Sequence, residues 1–157
     1  MLNAQEFLGM TQQGANATKL ELIPEMEVGA QIAIDGLDLK DFKYKRGDRE
    51  GQTGYRMTVK WEIDDPTGEI EKTIGRRPVI VQSVMLDVTE AGSLDMGKGK
   101  NVTLGRLREA VGQNTDGKPW NPQMLLGQRA KIKIKHSINK ESGELQSEVE
   151  RTTALSA

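Results

Sequence analysis

One segment in the middle of the chain alternates strictly between apolar and polar side chains, and this restricts the fold more than any other feature. Every second residue is apolar, namely Tyr55, Met57, Val59, Trp61 and Ile63. The residues between them are polar: Arg56, Thr58, Lys60 and Glu62. A period of two places successive side chains on opposite faces of a β-strand. The segment therefore predicts a strand with one buried and one solvent-facing side.

Shorter alternations of the same kind predict the other strands. Gly36 interrupts the first of them and is expected to permit a β-bulge. The turn Asp64-Asp65-Pro66-Thr67-Gly68 ends the central strand. After it, residues 69–74 and 78–88 are expected to form one interrupted strand or two separate strands. The predicted strands cover about 29–44, 54–63, 78–88, 129–137 and 145–154, with the last two forming a hairpin.

A helix is predicted only between the third and fourth strands, over about 102–112. Leu104, Leu107 and Val111 recur at helical spacing there, and Gly112 is suited to end the helix. Residues 1–20 are rich in Gln, Asn, Ala, Gly and Thr, which predicts a loose or partly helical N-terminal arm. The remaining residues, 21–157, are expected to form a single domain.

The order of three strands, one helix and a hairpin is that of an OB-fold, a five-stranded Greek-key barrel with a helix between the third and fourth strands. The fold class is thus mainly β, and a β-sandwich is the alternative. The predicted core consists of Ile32, Ile34, Met57, Val59, Trp61, Val81, Leu104, Leu107, Val111, Ile132 and Ile134.

Composition excludes several classes of chemistry. The 157 residues contain no cysteine and a single histidine, His136. Disulfides, zinc ribbons and cysteine-based catalysis are therefore excluded, and no metal or cofactor is expected. No arrangement of nucleophile and base is evident, so we do not expect an enzyme. Neither a membrane-spanning run nor a secretory signal is recognisable, which predicts a cytoplasmic protein.

Charge is distributed unevenly although the net charge is only −1. Residues 1–39 hold six acids and one base, whereas residues 40–60 hold seven bases and three acids. In the segment 42–46, aromatic and basic residues alternate. Single-strand binders combine aromatic platforms for bases with cations for phosphates. The candidate nucleic-acid-binding residues are Lys43, Tyr44, Lys45, Arg46, Tyr55, Arg76, Arg77, Lys98, Lys100 and Trp120.

Other cations and aromatic residues have a structural interpretation. The lysines 131, 133 and 135 form a stripe, but Glu148 and Glu150 on the partner strand predict cross-strand ion pairs. Trp120, in a proline-containing loop, is expected to cap one end of the barrel or to serve as a stacking platform.

These features resemble a family of small phage-encoded proteins from recombination and replication cassettes. The resemblance rests on the strand Tyr55–Ile63 with its Asp-Asp-Pro turn, on the segment Gly99–Gly112, and on Leu125-Leu126-Gly127 before the final hairpin. It spans roughly residues 28–153. It implies an OB-like protein that binds single-stranded DNA. Unlike many bacterial-type single-strand binders, this chain ends without acidic residues after Arg151, so recruitment of partners through an acidic tail is not expected.

The sequence therefore predicts sequence-independent binding of single-stranded nucleic acid, DNA in preference to RNA, in phage replication or recombination. The expected partners are the nucleic acid itself, replication or recombination proteins, and further copies of the chain, but no membrane. The alternative is a structural or protein-interaction β-domain, such as a virion component or an inhibitor, that binds no nucleic acid.

Overall fold

All five predicted strands are present in the computed structural model, which describes residues 1–155. Ser156 and Ala157, the last residues of the predicted domain, lie outside the described residues. The strands are β1 (Met26–Lys43), β2 (Thr53–Ile63), β3 (Val79–Leu86), β4 (Arg129–Ile138) and β5 (Leu145–Thr153). The helices are α1 (Ala4–Leu8), α2 (Glu69–Ile74), α3 (Val102–Ala110) and a short 3-10 helix at Pro122–Leu125.

The strands form one antiparallel sheet in the order β3-β2-β1-β4-β5. The sheet is open, because its hydrogen-bonded ladder ends at β3 on one side and at β5 on the other. This differs from the closed barrel expected from the element order. The two edge strands nevertheless approach each other, and α3 contacts both of them. Within residues 1–155, no helix is long and apolar enough to cross a membrane.

The first strand pairs with two neighbours and contains a bulge. Residues 26–31 pair with β4, residues 30–43 pair with β2, and the register between β1 and β2 shifts between Ile32 and Leu37. Gly36 lies in this bulge, where a Cβ atom would be 2.8 Å from the carbonyl oxygen of Ala33. The predicted bulge is thus confirmed, and its close backbone approach explains the glycine.

The bulge also explains one error in the predicted core. Ile32 and the next residue, Ala33, are both buried, which breaks the alternation of the strand, and Ile34 is 82% exposed. The prediction that Ile34 is buried is therefore wrong.

A second error concerns β3, whose inward face carries a polar residue. Gln82 is only 7% exposed, and its Oε1 accepts a hydrogen bond of 2.9 Å from Nε1 of the fully buried Trp61. Because Gln82 points inward with Ile80 and Val84, the neighbouring Val81 points outward and is 54% exposed. The prediction of a buried Val81 is wrong. Val111 is half-buried at the end of α3, and the other predicted core residues are buried.

Residues 69–74 form the helix α2 rather than the extended segment that was expected. The carboxylate of Asp65 accepts hydrogen bonds from the backbone N–H groups of Ile70 and Glu71. These are N–H groups of the first helical turn, which have no partner within the helix. Two glutamates in the same turn also favour the helix electrostatically.

The chain segment before β1 is attached to strands β4 and β5. Ile23 is buried in the core, and its carbonyl oxygen accepts a 3.1 Å hydrogen bond from the hydroxyl of Ser147 and lies 2.7 Å from Nε2 of His136. The carbonyl oxygen of Glu21 accepts a further bond from Arg76. Residues 1–20, by contrast, are exposed throughout.

We predict that Gln82→Leu destabilises the protein, because the Trp61 N–H then remains buried without an acceptor. The expected loss in the free energy of unfolding is about 1–3 kcal/mol, measured by urea denaturation. Ser83, the exposed neighbour of Gln82, provides the control. Ser83→Ala is expected to change the free energy of unfolding by less than about 0.5 kcal/mol. Equal effects of the two substitutions would contradict the proposed role of the pair.

Candidate nucleic-acid interface

The outward side of the sheet around β2 carries a basic surface, which we call the outer face. In β2 the inward residues are apolar and buried, so Arg56, Thr58 and Lys60 point to the opposite side. Strand register places Lys40 of β1 directly beside Arg56. The outer face consists of Lys40, Phe42, Arg56, Thr58 and Lys60, together with Val81, Ser83 and Met85 of β3.

Two aromatic rings extend the outer face to the end of β1. Phe42 and Tyr44 lie two residues apart on the same side, with ring centroids 5.0 Å apart in an edge-to-face arrangement. Both rings cover Gly54, where a Cβ atom would be 2.5 Å from Cζ of Phe42. A side chain at position 54 would displace the rings. The glycine therefore allows both rings to pack closely against the backbone of β2.

The loop after Tyr44 folds back onto its ring. The backbone of Tyr44 bonds to Gln52 and Gly51 across the loop. The guanidinium carbon of Arg49 lies 5.6 Å from the centroid of the Tyr44 ring, and Nη1 donates a 3.3 Å hydrogen bond to the phenol oxygen. Arg49 thus lies over one face of the Tyr44 ring and also lies 3.9 Å from Oδ1 of Asp87.

Several cations near this surface have no acidic partner. Among residues 1–155, Lys40, Lys43 and Arg56 form no ion pair within 4.0 Å. Lys60 makes only a long contact of 4.0 Å with Asp35. Asp38 lies opposite Thr58 and so contributes one acidic side chain to this face. The surface retains positive charge available to a phosphate backbone.

Seven of the predicted site residues lie at or near this end of the sheet. Lys43, Lys45 and Arg46 are exposed where β1 enters the loop. Tyr44, Tyr55 and Lys100 line one pocket of about 260 Å³ between this loop and residues 86–100. Lys98 is exposed two residues before Lys100, so the loop before α3 approaches the aromatic pair.

The predicted residues Arg76 and Arg77 lie elsewhere. They precede β3, whose first residue pairs with Glu62, whereas Tyr55 pairs with the last residue of β3. The length of β3 separates these pairs by roughly 23 Å. Arg77 forms an ion pair with Glu62, and Arg76 donates to the carbonyl oxygens of Glu21 and Ile74. The structure does not bring these two arginines together with the other candidates.

Trp120 is held against α3 by a buried arginine. The guanidinium carbon of Arg108 lies 4.1 Å from the centroid of the indole, and its Nε and Nη2 donate to the carbonyl oxygen of Gln113. The indole N–H donates a 2.9 Å hydrogen bond to Oε1 of Gln113. Arg108 is 8% exposed, and burial lowers the pKa of its guanidinium. One face of the indole is therefore occupied by Arg108.

Two of the three lysines in the β4 stripe form the predicted ion pairs, whereas Lys131 has no acidic partner within 4.0 Å among residues 1–155. Lys133 lies 3.3 Å from Glu150, and Lys135 lies 3.4 Å from Glu148. At the start of β4, Arg129 forms an ion pair with Asp64, and this hydrogen bond raises the pKa of the guanidinium. Most of the positive charge on β4 is therefore balanced.

Lys40, Arg56 and Lys60 were not among the predicted site residues, whereas Phe42 belongs to the segment 42–46 whose aromatic and basic residues alternate. The alternation of β2 assigned Arg56 and Lys60 to its polar face, but the position of Lys40 beside Arg56 depends on the register after the bulge. No local pattern encodes that register, so the row of cations emerges only when β1 and β2 pair.

Comparison with known proteins gives no match to a family model and no significant match to a curated protein. In the part of the chain that the structure describes, no group of three or more His, Asp or Glu side chains is arranged to hold a metal ion. Functional inference thus rests on the outer face and its aromatic pair.

We predict that Arg108→Met releases Trp120 from α3. It removes a cation–π contact and two hydrogen bonds, so the free energy of unfolding should fall by about 1–3 kcal/mol, and the tryptophan emission should shift to longer wavelength. Arg106→Met, on the exposed side of the same helix, is the control and is expected to leave both properties unchanged. An unchanged emission spectrum in Arg108→Met would contradict the assigned contact.

Proposed function

We propose that the chain binds single-stranded DNA without reading its sequence, as an OB-like protein of phage replication or recombination that acts in the host cytoplasm. The nucleic acid would lie across the outer face, with its bases towards Phe42 and Tyr44 and its phosphates near Lys40, Arg56 and Lys60. The protein supplies positioning and charge, and we assign no catalytic role to it.

Strand order and edge geometry support an OB-like architecture. The order β3-β2-β1-β4-β5, with β3 near β5, is the order of an OB-fold in which the last strand pair is not hydrogen-bonded. OB-folds are partly open barrels that bind oligonucleotides on the face of strands 2 and 3, beside the β1–β2 and β4–β5 loops. The outer face includes these two strands together with the end of β1, and the loop after Tyr44 is the β1–β2 loop.

The observation that carries the proposal is the aromatic pair next to cations without acidic partners. Phe42 and Tyr44 cover Gly54, and Lys40 and Arg56 are the next outward pair along the same two strands. Stacking on an aromatic ring is worth about 1–3 kcal/mol per base and tolerates any base. Phosphate contacts add affinity that carries no sequence information. The two together favour binding that is independent of sequence.

We predict that salt weakens the binding steeply, since each phosphate contact releases counterions. If five or six of the exposed cations Lys40, Lys43, Lys45, Arg46, Arg56 and Lys60 each contact a phosphate, at about −0.7 per contact, the slope of log K against log salt concentration for poly-dT should be roughly −3 to −4. Lys40→Glu with Arg56→Glu removes two contacts and should flatten the slope by about 1.4. Fluorescence anisotropy with an oligonucleotide of about thirty nucleotides, longer than one OB-fold site, measures both quantities.

The matched control reverses charge at a distance from the outer face. Lys72 is exposed on α2, at the opposite end of β2 from Arg56, and Lys72→Glu should leave the slope unchanged. A duplex of the same length should bind more weakly than the single strand. No binding at low salt by the folded protein would refute the proposal and favour a protein-interaction domain.

We predict that Tyr44→Ala weakens binding by about 1–3 kcal/mol with little change in the salt slope, because it removes an aromatic face and no charge. Tyr44→Phe keeps the ring and loses only the hydrogen bond from Arg49, so it should bind nearly as well as the original protein. Equal losses in both variants would show that no base stacks on this ring.

A further inference from the structure

The N-terminal arm, residues 1–20, contains a helical turn with an apolar face that nothing covers. In α1, the side chain of Asn3 caps the helix by accepting bonds from the N–H groups of Gln5 and Glu6. Ala4, Phe7 and Leu8 follow the spacing i, i+3, i+4 and share one side. Phe7 is 48% exposed, Leu8 is 80% exposed, and α1 has no buried residue.

A helix of this length requires support from another surface. Nucleation makes isolated helices shorter than about 12 residues marginal in water, and helical stability in proteins comes mostly from packing of an apolar face. The capped five-residue helix of the arm has neither the length nor the packing. Its sequence is therefore suited to fold against an apolar surface.

The body of the protein offers such a surface near the end of β1. A cavity of about 550 Å³ opens between the end of β1 and the loop after β3. Asp38 is the one charged residue among those that line it within the described chain. Its apolar lining includes Leu37, Leu39, Tyr55, Met57, Leu86 and Leu94. The volume lies in the range of apolar ligand pockets and is large enough for several side chains.

We propose that α1 of one copy docks in this cavity of a second copy, so that the chain associates head to tail. The arm leaves the body at Ile23, beside the start of β1, whereas the cavity is formed by Leu37 and Leu39 near the end of β1. A neighbouring copy in line brings its cavity to the arm without the linker having to run along the whole sheet. The contact is heterologous, so each copy uses one arm and one cavity.

The arm brings little charge to the cavity. Residues 1–18 contain a single charged side chain, Glu6, which lies outside the apolar spacing of α1, and Asp38 of the cavity lining is exposed. Docking therefore buries Phe7 and Leu8 while both carboxylates stay in contact with solvent. Leu39 and Met57 of the cavity point to the side opposite Lys40 and Arg56. Tyr55 lines both the cavity and the pocket beside Tyr44, but the side chains proposed to bind nucleic acid do not line the cavity, so the inference does not depend on the proposed function.

The test is the oligomeric state of the full-length protein without nucleic acid, measured by sedimentation velocity over a range of concentrations. We expect reversible self-association. Phe7→Glu with Leu8→Glu should raise the concentration needed for association by roughly ten- to hundredfold, the change expected from no longer burying a large apolar side chain. Ile138→Glu alters an equally exposed apolar residue outside both the arm and the cavity and should leave association unchanged.

A mixing experiment separates head-to-tail docking from other contacts. Leu39 is 59% exposed, and Leu39→Glu places a charge in the cavity while the arm stays intact. The arm variant and the cavity variant should each be monomeric alone but form a one-to-one pair when mixed, because one supplies the cavity and the other the arm. A full-length protein that stays monomeric, an arm variant that associates normally, or a mixture that does not pair would each overturn the proposal. The exposed position of Phe7 and Leu8 means that the arm variant keeps its fold.

Discussion

The structure depends on β1, which pairs with two strands at once. Eighteen residues long, it pairs with β4 over residues 26–31 and with β2 over residues 30–43. The bulge at Gly36 changes the register between β1 and β2 within this pairing. The same bulge determines which side chains of β1 point outward after it. The position of Lys40 beside Arg56, and of Phe42 over Gly54, is therefore a consequence of the bulge.

A second constraint sets the register on the other side of β2. The hydrogen bond from Trp61 to Gln82 joins two buried side chains on adjacent strands. A slip of one residue would expose Trp61 and leave the amide of Gln82 on the wrong face. The register that this bond favours therefore buries the core residues and at the same time places Val81 and Met85 on the outer face.

Local patterns were sufficient to predict the strands but not the way in which they combine. Alternation identified β2 to within one residue, and helical spacing identified α3. The sequence gives no sign that Gln82 is buried, because its partner Trp61 lies 21 positions away. The helix α2 was missed because its cap, Asp65, lies in a turn that the sequence already explained. The charged candidates were predicted from short basic segments of the sequence. In the paired strands, Arg76 and Arg77 lie far from the other candidates, and Lys40 and Arg56 lie beside them.

Binding of single-stranded DNA across the outer face is the central claim, and mapping of backbone amide signals by NMR during titration with poly-dT tests it most directly. The account predicts shifts concentrated at residues 40–46, at Arg56, and at Ser83 and Met85. Signals of Lys133 and Glu150, on the neutralised side of the sheet, should stay in place. Shifts confined to β4 and β5, or none at saturating oligonucleotide, would contradict the account.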